Sequence, residues 1–347
     1  MMKHHGIKKQ GENSNIEARE RKPFLVATTR SSGVTLANKL DLRKYFVIAA
    51  FTILASSQAI FIARSEIAEN SLYNKRTVNF SVEALKCALS LVALLKIWKS
   101  DGITQDNKLS MSFDEVIIYS FPATFCFIHS LLKSPLFSFM DGRNNQSLKI
   151  LEIISTGVLS RLILKRKLTE IQWIAFVLLC VGCTFTEPDT SSDHIHQTSL
   201  QGWVMAIVTT LLSVFVGVHT EAVIKKHPLK NVNVQNFWLS IFGLIFELVG
   251  LLNGNLVDAT PKGFFYGYSI ITACMILNHA LSGIVVSMVL KYTDNIVKVY
   301  SVSVAMIIAA IVSKFIFDSH LSDDFLLGVT IVSVSLFLHG TGSSLAS

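Results

Sequence analysis

The sequence predicts an all-α polytopic membrane protein, with about ten transmembrane helices arranged as two inverted five-helix repeats. Three observations predict it. Of the 347 residues, 51% are hydrophobic and 16% charged, and the mean hydropathy is +0.49, so there is more apolar surface than one soluble core could hide. The apolar residues fall in runs of about twenty between short polar pieces, the length a helix needs to cross a hydrocarbon layer of roughly 30 Å. Six prolines and the lack of alternating strand segments argue against a membrane β-barrel.

Residues 1–44 differ in kind from the rest. They are polar and carry ten Lys/Arg, among them Lys8, Lys9, Arg19, Arg21, Lys22, Arg43 and Lys44, and they read as a disordered cytosolic tail. No apolar stretch of signal-peptide length precedes a small-residue cleavage site, so the first span is expected to act as an uncleaved signal anchor. The transporter domain is expected over 45–342. Its first repeat, 45–187, holds spans 45–64, 80–98, 115–136, 146–164 and 170–187, and its second repeat, 200–342, holds spans 200–224, 235–254, 268–290, 297–317 and 324–342. The third and fourth are the most interrupted, by Lys133, Pro135, Asp141, Arg143, Lys149, Glu152 and Arg161. Five spans is an odd number, so each half must insert in the sense opposite to the other.

Basic residues set the orientation. Eleven Lys/Arg, such as Lys99, Lys165, Arg166, Lys226 and Lys291, fall after the even-numbered spans, against six on the opposite side. Both termini are therefore expected in the cytosol. The net charge of +7 reflects this topology, and no folded basic domain exists that would bind nucleic acid. No nucleophile elbow, HExxH or P-loop occurs, so the chain does not read as an enzyme or an ATP-driven pump, and nothing calls for a cofactor. Transport of a small polar solute by exchange or gradient remains, with the lipid bilayer as the chain's surroundings.

Charges at membrane depth are costly and usually face a water-filled cavity or a partner. The candidates are Glu83, Lys86, Lys149, Glu152, Glu221, Glu247, His279, Lys298 and Lys314. Glu83 with Lys86, and Lys149 with Glu152, stand three apart on one helix face, where each pair could neutralise itself. Cys180-Val-Gly-Cys183 has the spacing of a metal or redox pair, but without a second pair or loop histidines at ligand spacing it reads as helix packing. The sequons at Asn79 and Asn145 lie too close to the membrane to be read as glycan sites.

Several segments resemble the nucleotide-sugar transporter family, in its CMP-sialic acid and UDP-galactose transporter group. They are Gly217-Val-His-Thr-Glu221, Val234-Gln-Asn-Phe-Trp-Leu239, Gly263-Phe-Phe-Tyr-Gly-Tyr268, Leu281-Ser-Gly-Ile284 and Val289-Leu-Lys-Tyr-Thr-Asp-Asn-Ile-Val-Lys298. In the first half, Val82-Glu-Ala-Leu-Lys86, Ile154-Ser-Thr-Gly157, Leu164-Lys-Arg-Lys-Leu168 and Gln172-Trp173 extend the resemblance over roughly 45–342. It implies a ten-helix drug/metabolite-transporter fold in the Golgi membrane. It further implies exchange of cytosolic nucleotide sugar for luminal nucleoside monophosphate, with a homodimer as an admissible assembly.

A phosphate in a low-dielectric cavity needs fixed positive charge, and a base and ribose need amides and flat side chains. Lys298 is the first candidate for the phosphate, its alternative being a topology determinant. Asn236 is the candidate for the base or ribose, its alternative being a helix cap. Asn295 and Lys149 complete the candidate substrate-binding set. The first half departs from the group's pattern at His129-Ser130, Asn145-Gln146 and Glu152, where the group shows an Asn-bearing helix end, an aromatic followed by Gln, and an amide or Lys. Ser240 and His219 stand where it commonly shows tyrosines. These departures leave open another organic ion as substrate, or a divergent paralogue with reduced activity.

Overall fold

In hydrocarbon every peptide group must be satisfied within its own segment, which makes the helix the solution for an isolated apolar run. A computed structural model describes residues 42–62, 64, 74–136, 144–186, 200–253, 263–317 and 323–346. The described residues form eleven helices and no strand. These are α1 (Leu42–Ile62), α2 (Lys75–Asp101), the short α3 (Phe113–Ile117), α4 (Ser120–Leu136), α5 (Asn144–Ile163) and α6 (Glu170–Thr186). They continue with α7 (Leu200–Lys226), α8 (Val232–Asn253), α9 (Ile270–Tyr292), α10 (Asn295–Phe317) and α11 (Asp323–Ala346).

Each of the ten expected spans falls on a helix, the third on α3 and α4 together, broken by a turn at Ile118-Tyr119. Eight of these stretches are long and apolar enough to cross a membrane. The other two differ for physical reasons. α5 has the length, 20 residues, but carries Lys149, Glu152 and Arg161, and α6 is apolar but only 17 residues long.

The helix ends are written in the sequence. Asn74 caps α2 by accepting the Arg76 N–H at 2.9 Å, and Gly102, at φ 75°, ends it with a left-handed residue that costs glycine little. Ser269 and Thr272 form a reciprocal capping box at the start of α9. Within the spans, hydroxyls turn back onto their own helix, as Thr52 does onto Ile48 O at 2.9 Å and Thr209 onto Met205 O at 2.7 Å. Such bonds satisfy a hydroxyl where no water reaches.

The chain divides into two units, Met1–Phe46 and Val47–Ser347. Of the first, only the opening of α1 is described, so the expected tail lies almost wholly outside the described residues. In the second, α6 makes its main contact with α11, and α2 with α8, while α4 packs on α7 and α8 and α5 on α7. The α6–α11 crossing depends on glycine. A Cβ at Gly182 would stand 2.9 Å from the Val332 backbone nitrogen, and one at Gly328 would stand 2.9 Å from Gly182 O. Cys180 and Cys183 are buried in the apolar cluster between these helices and α10, with Phe176, Leu179, Val299 and Val332, so the CxxC spacing serves packing. α1 is tied to α9 by an amide network in which Asn278 donates to Leu54 O at 3.0 Å and to Gln58 Oε1 at 2.9 Å, and accepts from Ser57.

Candidate functional site

The start of α10 gathers the strongest charges. Lys165, just past α5, takes a left-handed φ of 53°, and the turn it makes aims Arg166 at two carboxylates. Arg166 Nη2 lies 3.0 Å from Glu221 Oε1, and Nη1 lies 2.6 Å from Asp294 Oδ2. Glu221 is fully buried and its carboxylate would be costly there without partners. It has three: Arg166, the Lys225 ammonium at 2.7 Å, and the Asn295 N–H at 2.9 Å. Lys225 also donates to Thr293 O. Asp294 caps α10 by accepting the Val297 N–H at 2.8 Å.

Asn295, a candidate for substrate, lies beside this cluster, and its buried side-chain oxygen has no partner among the described residues. It is buried, its backbone is held by Glu221, and its side chain fills the notch at Gly217, where a Cβ would stand 2.8 Å from Asn295 Oδ1. It therefore sets how closely α10 approaches α7. Lys298 stands one turn further on. It is half-buried, and its ammonium has no hydrogen-bond or ion-pair partner among the described residues.

Charged groups from several helices lie within electrostatic range of one another near Lys298. Cys126 of α4 is exposed although it lies within electrostatic range of Lys86 and Glu83 of α2, Glu247 of α8 and Lys298 of α10. His279 of α9, also exposed, lies in range of Lys86 and Lys133, and His129 in range of Lys133 and Lys298. Charges from several helices at membrane depth are costly unless they face one another or water. Among them, Lys86 and Glu83 form the expected pair, at 2.8 Å. Two glycines make room for them: a Cβ at Gly243 would stand 2.8 Å from Glu83 Oε2, and one at Gly283 would stand 3.0 Å from Lys86 Cε.

The second expected pair is not formed. The Lys149 ammonium lies 3.2 Å from Met306 Sδ, and Glu152 faces the field of Lys133 instead, because α5 turns Lys149 toward α10. Asn79 is engaged through its side-chain amide, which donates to Ser130 at 2.8 Å. The side chains of Asn145 and Gln146 lie outside the described residues.

Along α7 and α8 the departures of the sequence lie in the buried surface. Asn236 is 2% exposed with its amide nitrogen unpartnered, and the Ser240 hydroxyl, one turn later on the same face, is also buried and unpartnered. The capping alternative for Asn236 falls to Asn231, whose side chain accepts the Asn233 N–H at 2.9 Å. His219 Nδ1 is likewise buried without a partner, while its ring stacks on Phe121 at 5.8 Å and leans on Phe215 at 5.6 Å. Buried polar atoms are normally satisfied, so each of these three, on α7 and α8, can take a bond from a ligand or water. Sequence reasoning missed the Arg166 bridge and the role of Gly217. Glu221 four residues before Lys225 was the only local signal.

A family model described as nucleotide-sugar transporter matches residues 39–340. The chain is similar to "CMP-sialic acid transporter 2" of Oryza sativa subsp. indica, 57% identical over 90% of this chain and 88% of the relative. It is also 53% identical to "CMP-sialic acid transporter 4" of Arabidopsis thaliana, over 95% of each chain. A solved crystal structure superposes with a TM-score of 0.62 at 9% identity, covering 87% of this chain and 97% of the other, a likeness of fold alone. The chain belongs to the nucleotide-sugar transporter family, whose members are membrane carriers and not enzymes.

Proposed function

We propose that the chain exchanges a cytosolic nucleotide sugar, of the CMP-sialic acid or UDP-galactose type, for a luminal nucleoside monophosphate across the Golgi membrane. The observation that carries the reading is the Lys298 ammonium, without a partner among the described residues, in a chain whose α7 and α8 hold buried, unpartnered groups on Asn236, Ser240 and His219. A phosphate neutralises the first, and a base and ribose complete the second. The names borne by the plant relatives support the same ligand class. We read the helices as ten spans in two inverted repeats with both termini in the cytosol, an arrangement that suits an alternating-access route. The packing of α2 on α8 and of α6 on α11, the second and fifth spans of each half, supports that symmetry.

A second reading has its own support. Glu83, Glu152 and Glu247 bring three carboxylates toward the same interior, which suits an organic ion other than a nucleotide, or a divergent paralogue with reduced exchange. Proteoliposomes holding the full chain, preloaded with CMP or UMP, separate the two. Accumulation of labelled CMP-sialic acid or UDP-galactose against unlabelled internal nucleotide is the expected result. Silence with both sugars beside a working relative would reject the first reading.

A further inference from the structure

The geometry points to Glu221 as a positioning residue for Lys298: through the first turn of α10 it fixes where the ammonium that meets the substrate's phosphate stands. The inference rests on the assignment of Lys298 to the phosphate. Four observations carry it. The Glu221 carboxylate accepts the backbone N–H of Asn295, the first residue of α10, which is otherwise an orphan donor. The Lys298 N–H closes onto Asp294 O at 3.2 Å, so the turn that bears Lys298 is the turn that Glu221 holds.

Asn295 is seated from its other side by Gly217 of α7, four residues before Glu221 on the same helix, so α7 fixes the turn at two points. Lys298 has no side-chain partner among the described residues, so the backbone frame is what places its long, flexible stem. The clamp also draws on both halves of the chain. Arg166, between α5 and α6, holds Glu221 and Asp294 together, so any movement of one half against the other is felt at the turn carrying Lys298.

A purely structural ion pair and a positioning carboxylate differ in one measurable respect. If Glu221 acts on the substrate through Lys298, its removal costs nothing further once the ammonium is gone. The test is a double-mutant cycle on the full chain in proteoliposomes, reading KM and maximal rate for exchange of labelled CMP or UMP, whichever the wild-type chain exchanges. Glu221→Gln is expected to raise KM by about tenfold, the size of one charge-assisted hydrogen bond, and to leave KM unchanged in a Lys298→Ala background. Glu221→Asp, which keeps the charge, is expected to recover part of the loss.

Gly217→Ala, whose added methyl presses on Asn295, gives an independent second cycle with the same expected pattern, and decides the matter where Glu221→Gln does not insert. Equal KM penalties in both backgrounds, or a loss of maximal rate with KM untouched, would overturn the positioning role while leaving Lys298 on the phosphate. A Lys298→Ala chain with unchanged KM, or a wild-type chain that exchanges neither nucleotide, would overturn the underlying assignment and this inference with it.

Discussion

Single residues in the interior are fixed by what their neighbours leave out. The Glu83–Lys86 pair exists at membrane depth because Gly243 and Gly283 present no side chains to it. Glu83→Gln leaves the Lys86 ammonium without its counter-charge, and is expected to lower stability by about 1–3 kcal/mol, read as a fall in Tm of the full chain in detergent. An unchanged Tm would show that water in the interior already solvates both ends. The pair was legible in the sequence because three-residue spacing is a local rule. The same rule misled at Lys149 and Glu152, since α5 directs the lysine to Met306 and the acid to the field of Lys133. Glu152→Asn removes a negative charge from the interior and is expected to lower the KM for a nucleoside monophosphate several-fold, on the order of 1 kcal/mol. A KM that does not move would place Glu152 away from the nucleotide. The Arg166–Glu221–Asp294 bridge joins residues far apart in the chain, and no periodicity announces such a contact.

At the scale of elements, apolar runs located ten helical stretches within a few residues, eight of them long and apolar enough to cross a membrane, because hydrocarbon penalises every alternative to a helix. What the runs could not convey was which helices touch. In lipid that depends on small residues and shape more than on hydrophobicity, and the α6–α11 crossing shows it at Gly182 and Gly328. Gly182→Val places its branch against the Val332 backbone, which cannot yield as a side-chain tip can, and is expected to cost about 1–3 kcal/mol or more in thermal unfolding of the full chain. Gly340→Ala on the same α11 is the control, since a Cβ there meets nothing within 4 Å. Equal effects of the two changes would remove the crossing from the account. Asn278, binding Leu54 and Gln58 of α1, shows the other means by which apolar helices are joined, a polar contact whose alternative is an unsatisfied amide in lipid.

For the whole molecule, the distribution of basic residues predicts that tags at the two ends lie on the same face of the membrane and that a tag after Asp193 lies on the opposite face. Protease protection in sealed vesicles checks it, and termini on different faces would contradict an even number of spans. The family was legible because its motifs are local runs of sequence, such as those bearing Glu221, Asn236 and Lys298; the choice of nucleotide sugar was not, because His219 and Ser240 replace the rings that would announce it. The central claim is that the charged interior between α2, α4, α8 and α10 is where the nucleotide sits. Cys126 is exposed and lies within electrostatic range of Lys86, Glu83, Glu247 and Lys298, so its rate of alkylation by a small maleimide, followed by peptide mass spectrometry on the reconstituted full chain, is the readout of occupancy. The account predicts that CMP or UMP, at a concentration saturating exchange, slows labelling of Cys126 and that Lys298→Ala abolishes the protection. An unchanged labelling rate at a concentration that saturates exchange would contradict it.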